Sequence, residues 1–154
     1  MNIAQVKSYL LEIKRLDALI RCKTAEIIQL RELAYSITPQ SNSEPVTTSK
    51  NNDKIGSIVA KIVDLQNEKD ISVDNMLDVK AERIAVIDKV QDPQQLELLH
   101  KRYVQYKSLK VIAIEMGISY DTARSTHGEA LKSVRAILDK PTKKHKEPQH
   151  STTL

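Results

Sequence analysis

From Ile3 to Ile37 apolar residues recur at Val6, Tyr9, Ile13, Leu16, Ile20, Ile27, Leu30, Ala34 and Ile37, and the alternating steps of three and four are broken only at Lys23. That spacing places them on one stripe of a single helix, the pattern of a helix packed along another helix. At 1.5 Å per residue the helix is about 50 Å long. A small globule cannot cover a stripe of that length, so the helix requires a partner of similar length.

The next apolar segment supplies one. TPQSNSEPVTTSKNND, residues 38–53, is polar, contains Pro39 and Pro45 and has no period, so it reads as a flexible connector. Helical spacing resumes over 54–91 with Ile55, Ile58, Ile62, Leu65, Val73, Met76, Leu77, Ile84 and Ile87. The expectation is an antiparallel helical hairpin over residues 1–91. Pairing across a homodimer or a higher homo-oligomer buries the same stripe, and the periodicity does not separate these cases. Composition agrees with helix throughout. Phe and Trp are absent and there are three glycines, which leaves Ile, Leu, Val, Ala, Met and a few Tyr to build an all-α core.

At Asp92-Pro93 the pattern restarts. Asp92 is a suitable N-cap, Pro93 suits the first helical position, and Gln95 stands where a capping-box partner reaches back. The helix that follows has Leu96, Leu99, Tyr103 and Val104 on one side and ends near Tyr106-Lys107-Ser108. Ser108 then caps a short helix to Met116, with Ile112, Ala113 and Met116 inward. Gly117 fits the left-handed position after a helix end, Ile118 plugs the turn, and Ser119 caps a last helix over 120–138. On that helix Ala123, Leu131, Val134 and Leu138 face the core. Residues 92–140 are thus expected to form a three-helix helix-turn-helix bundle, followed by a basic tail over 141–154 containing Lys143, Lys144 and Lys146.

In a helix-turn-helix the start of the second helix enters the major groove of double-stranded DNA. The outward residues here are Tyr120, Asp121, Arg124 and Ser125. Arg124 has the fork that matches a guanine edge, Asp121 accepts from a cytosine amino group, and Ser125 or His127 bonds a base or a phosphate. Lys110, Lys132 and Arg135 are assigned to phosphates. Charge agrees with this division: between 101 and 147 eleven basic residues face five acidic ones, about +6, which leaves about −2 on the first hundred.

The run Ser108-Leu109-x-x-Ile112-Ala113-x-x-Met116-Gly117-Ile118-Ser119-x-x-x-Ala123-Arg124, continuing to Glu129-Ala130-Leu131-Lys132-x-x-Arg135, resembles region 4 of bacterial sigma factors, which reads the −35 promoter element. Leu99-x-x-Arg102-Tyr103 resembles the first core helix of that domain. The resemblance covers about 93–138, and Tyr120 stands where sigma factors carry a basic residue. Together with the helical N-terminal part, the chain resembles the late-operon transcriptional regulators of phages and prophages of Gram-positive bacteria. That resemblance implies a regulator that activates late genes from a promoter, with its reader at Tyr120, Asp121, Arg124 and Ser125. Two other readings keep the same fold: a small terminase subunit recognising a packaging site, and an adaptor that grips RNA polymerase without reading bases.

The remaining features exclude more than they assign. Cys22 is a lone cysteine, expected beside the helical seam as a small hydrophobe, and no Cys/His cluster has zinc spacing. No apolar run has the length of a signal sequence core or a membrane span. There is no Gly-rich phosphate loop and no nucleophile elbow. The expectation is a cytoplasmic, non-enzymatic protein of the bacterial host cell, without cofactor.

Overall fold

The computed structural model describes residues 1–38 and 49–140, with the side chains of 49–52 left aside. The described residues are helical, without strands, so the fold is all-α. Most of the expected connector and all of the expected basic tail lie outside them. Among the described residues no helix is long and apolar enough to cross a membrane.

Helix α1, Ile3–Ile37, starts in a capping box: Asn2 Oδ1 accepts from Gln5 N at 2.8 Å, and Gln5 Oε1 accepts from Asn2 N at 2.8 Å. Helix α2, Ser49–Asp88, begins five residues before the expected 54. The two run antiparallel. Glu12 pairs with Arg83 at 2.6 Å, Asp17 with Lys80 and Glu26 with Lys69, so partner numbers fall as α1 is ascended. The hairpin therefore closes within one chain, and every residue of the α1 stripe is buried or half-buried.

The stripe assigned to α2 is only partly covered. Ile62 and Ile87 are buried, but Ile58, Leu65 and Leu77 are 40 to 47% exposed. The reason is angular: neighbouring positions such as Met76 and Leu77 lie about 100° apart around a helix, and a single partner helix cannot cover both. Cys22, expected at the seam, is exposed.

Past Val90, which is buried in the turn, Asp92 caps α3, Pro93–Leu99, by accepting from Gln95 N at 2.8 Å. The Gln95 side chain does not reach back as a capping box would; its Oε1 accepts from Ser133 Oγ at 2.6 Å and ties α3 to the last helix. The helix then widens into a π-helical turn, His100–Val104, closed by Gln105 N donating to His100 O at 3.0 Å. Helix α4 spans Leu109–Met116 and α5 spans Tyr120–Leu138.

One apolar core joins the root of the hairpin to these helices. Val6, Leu10 and Ile13 of α1 and Val86 and Ile87 of α2 pack with Leu99, Tyr103, Ala130, Leu131 and Val134. Leu10 and Leu98, which the α1 and α3 spacings did not single out, are fully buried. The N-terminal ammonium of Met1 reaches Asp139 at 3.0 Å, so α1 begins beside the end of α5 and crosses it.

Candidate nucleic-acid interface

Each end of the turn between α4 and α5 is held by local chemistry. Ser108 Oγ accepts from Val111 N at 3.3 Å and opens α4. Gly117 lies at φ 64°, the left-handed conformation, and Ile118 N donates to Ala113 O at 3.0 Å across the helix end. Ser119 Oγ then accepts from Thr122 N at 3.0 Å and starts α5. Ala123, fully buried, has only a methyl where α5 meets α4, which permits a close crossing. Ile118, expected as a plug, is half-buried.

This arrangement turns one face of α5 outward. Tyr120, Asp121, Arg124 and Ser125 are all exposed and share the first turns of the helix. The Arg124 guanidinium lies 6.0 Å from the centre of the Tyr120 ring, at the outer reach of a cation–π contact. Asp121 lies in the first turn, where the helix dipole favours a negative charge. Lys132 and Arg135 continue the same side and Lys110 projects from α4, all three exposed. Lys132 is paired with Glu129 at 2.7 Å, a contact between two exposed groups that solvent screens and a phosphate can displace.

His127 is not part of that face. Its Nε2 is 2.8 Å from the Tyr103 hydroxyl, and the two rings stack with centroids 5.8 Å apart. Burial, with the nearby charges of Arg102 and Lys7, lowers its pKa to about 4. A neutral, inward-facing imidazole brings no charge to a phosphate near neutral pH, so the site assignment made from its position in the sequence is corrected: its role is internal. Tyr103, on the other side of the contact, is raised to about 12 by burial.

The basic balance of this part is also partly consumed. Glu115 accepts from both Lys101, at 2.9 Å, and Lys107, at 2.7 Å, locking the π turn and the following loop to α4. Those hydrogen bonds hold the Glu115 carboxyl below its usual pKa. Arg102 Nη1 donates to Lys107 O at 2.9 Å. Among the described residues Lys110, Arg124 and Arg135 are exposed and make no ion pair, so their charges are not spent within the fold.

One connection escaped the sequence reading. Tyr106, in the loop before α4, has φ 61°, a left-handed conformation unfavourable for an aromatic residue. Its hydroxyl donates to Asp17 of α1, and the Lys14 ammonium lies 5.7 Å from the centre of its ring. Burial and the bond to Asp17 raise the Tyr106 pKa to about 12. Burial of Asp17 opposes its ionisation, but the bonds from Lys80 and Tyr106 prevail and hold it below its usual value. No periodicity marks such a residue, because what holds it is more than eighty positions away. Compared with family models, curated proteins and solved structures, the chain finds no match.

Proposed function

We propose that the chain is a sequence-specific reader of double-stranded DNA, a phage-type transcriptional regulator that activates late genes by placing the start of α5 in the major groove. The observation that carries this reading is the capped turn from Ser108 through Gly117 to Ser119, which leaves Tyr120, Asp121, Arg124 and Ser125 exposed together at the start of a helix. In this role Arg124 leaves the Tyr120 ring to bond a guanine edge, and Asp121 accepts from a cytosine amino group. Lys110, Lys132 and Arg135 fix the register on phosphates. The similarity to sigma factor region 4, and through it to phage late-operon regulators, supplies the regulatory part of the proposal and RNA polymerase as its protein partner.

The test is fluorescence anisotropy of the full chain against tiled duplexes from its own genetic neighbourhood, at two salt concentrations. The expected result is selective binding to one tile upstream of a gene. Arg124→Ala should weaken binding to that tile by about 5- to 150-fold, the equivalent of 1 to 3 kcal/mol for a bidentate base contact. Equal binding to all tiles, unchanged by Arg124→Ala, would remove base reading from α5. Selection of a tile at a packaging site would favour the terminase reading.

A further inference from the structure

Helix α1 carries a second line of positive charge that the hairpin does not use. Lys7, Lys14 and Arg21 recur every seven residues and are exposed. Leu11 and Ala18 between them, and Ala25 one turn beyond, are exposed and uncharged; the nearest carboxylate, Asp17, is half-buried beside the line, where the Arg21 charge acts on it. The nearby acids of α1 are occupied elsewhere: Glu12 with Arg83, Asp17 with Lys80 and Glu26 with Lys69, all on α2. Among the described residues Lys7, Lys14, Arg21 and Arg102 take part in no ion pair.

The line runs against the helix-turn-helix rather than away from it. Lys7 and Arg102 lie close enough to His127 of α5 to disfavour its protonation. Lys14 sits over the Tyr106 ring, two residues before the Ser108 cap of α4. Lys14 and Arg102 also line, with Leu11, Tyr103 and Tyr106, a cleft of about 90 Å³ between α1 and the π turn. Ligand pockets occupy roughly 300 to 1,000 Å³, so this cleft is too small for a typical organic ligand.

We propose that Lys7, Lys14 and Arg21, with Arg102 beside them, form a phosphate-binding rail for duplex DNA flanking the segment met by α5. The proposal rests on α5 meeting DNA and assigns the root of the hairpin a share in the same complex. Seven residues of helix rise about 10.5 Å, close to three base pairs at about 3.4 Å each, so the three cations span about six base pairs along a duplex.

The rail is tested by titrating the full chain with two duplexes containing the same tile, one of about 15 and one of about 30 base pairs, over a range of salt. Wild type should bind the longer duplex more tightly. The variant K7Q/K14Q/R21Q should lose that gain, bind the longer duplex about tenfold more weakly, and show a log–log salt slope smaller by about 2 to 3, since each phosphate contact contributes about 0.9. The charge-retaining variant K7R/K14R/R21K should keep the wild-type slope, and circular dichroism should report the same helix content for all three proteins.

A charge-matched variant at the far end of the hairpin, R31Q/K54Q/K61Q, should leave affinity and slope near wild type. The proposal is overturned if K7Q/K14Q/R21Q binds as wild type does, if the far-end variant loses as much, or if wild type gains nothing from added length. Loss of selectivity in Arg124→Ala beside an unaffected K7Q/K14Q/R21Q would remove the rail and keep the reader. Unselective binding whose slope still drops in K7Q/K14Q/R21Q would keep the rail and remove the reader.

Discussion

His127 shows how the direction of one side chain sets its chemistry. Bonded to the Tyr103 hydroxyl and half-buried beside Arg102 and Lys7, it is held neutral, with its pKa lowered to about 4 from 6.5. The unfolded chain therefore takes up this proton near pH 6.5 while the folded chain does not until about pH 4. Stability is full above the unfolded value and declines as pH falls through this window, by on the order of 2 kcal/mol once the partial exposure of the ring is allowed for. Thermal unfolding of wild type should thus shift to lower temperature between pH 7 and pH 5. His127→Gln, which keeps a polar partner for Tyr103 and has no proton to gain, should shift less. That interval lies above the range in which Asp17, Glu26 and Glu115, all held below their usual values, begin to protonate. Parallel shifts in the two proteins would show that His127 protonates as freely in the folded chain as in the unfolded one.

Within the helix-turn-helix, two glycines with open space around them make opposite demands. A Cβ at either Gly117 or Gly128 meets nothing within 4 Å, so crowding does not distinguish them. Gly117 has φ 64° and Gly128 lies in the regular middle of α5. Gly117→Ala should destabilise by about 1 to 2 kcal/mol because an L residue is strained in the left-handed region. Gly128→Ala should stabilise by about 0.5 to 1 kcal/mol through a less disordered unfolded chain. Urea unfolding of the pair checks both signs, and a loss of stability in Gly128→Ala would contradict the regular helix at that position.

The same contrast marks what the sequence made legible. Gly117, the caps at Asp92, Ser108 and Ser119, and the limits of α5 depend on residues within a few positions, and local pattern located them. The left-handed Tyr106 and the inward turn of His127 depend on residues more than twenty positions away, and pattern located neither of them, nor the π turn at His100–Val104. The outward placement of Tyr120, Asp121, Arg124 and Ser125 was legible because it is the complement of the buried Ala123, Ala130 and Val134 on one helix.

For the whole molecule, the decisive fact is that the C-terminal helices enclose only a small core of their own, Leu98, Ile112, Ala113 and Ala123, and share the rest with the hairpin. Leu99, Tyr103, Leu131 and Val134 pack under Val6, Leu10 and Ile13, so removing the hairpin exposes the apolar side of the helix-turn-helix. A fragment of residues 92–154 would retain its local caps but lose the contacts that bury those side chains. At this size a single core is already marginal. The fragment should show reduced helix content and no cooperative urea transition, whereas the full chain should unfold in one transition followed by both circular dichroism and tyrosine fluorescence. Leu10→Ala offers a milder version of the same experiment. Leu10 is fully buried although it lies on α1, and its truncation should cost about 2 to 5 kcal/mol. Because that residue belongs to a shared core, the whole transition should move to lower urea with its slope preserved. A cooperative fragment, or a Leu10→Ala protein in which only part of the signal moves, would mean that hairpin and helix-turn-helix are energetically separate. The hairpin root, including the exposed line of Lys7, Lys14 and Arg21, would then be free to move relative to α5. A single transition would instead hold α1 and α5 in one rigid arrangement, the condition for two basic surfaces to meet one duplex at the same time.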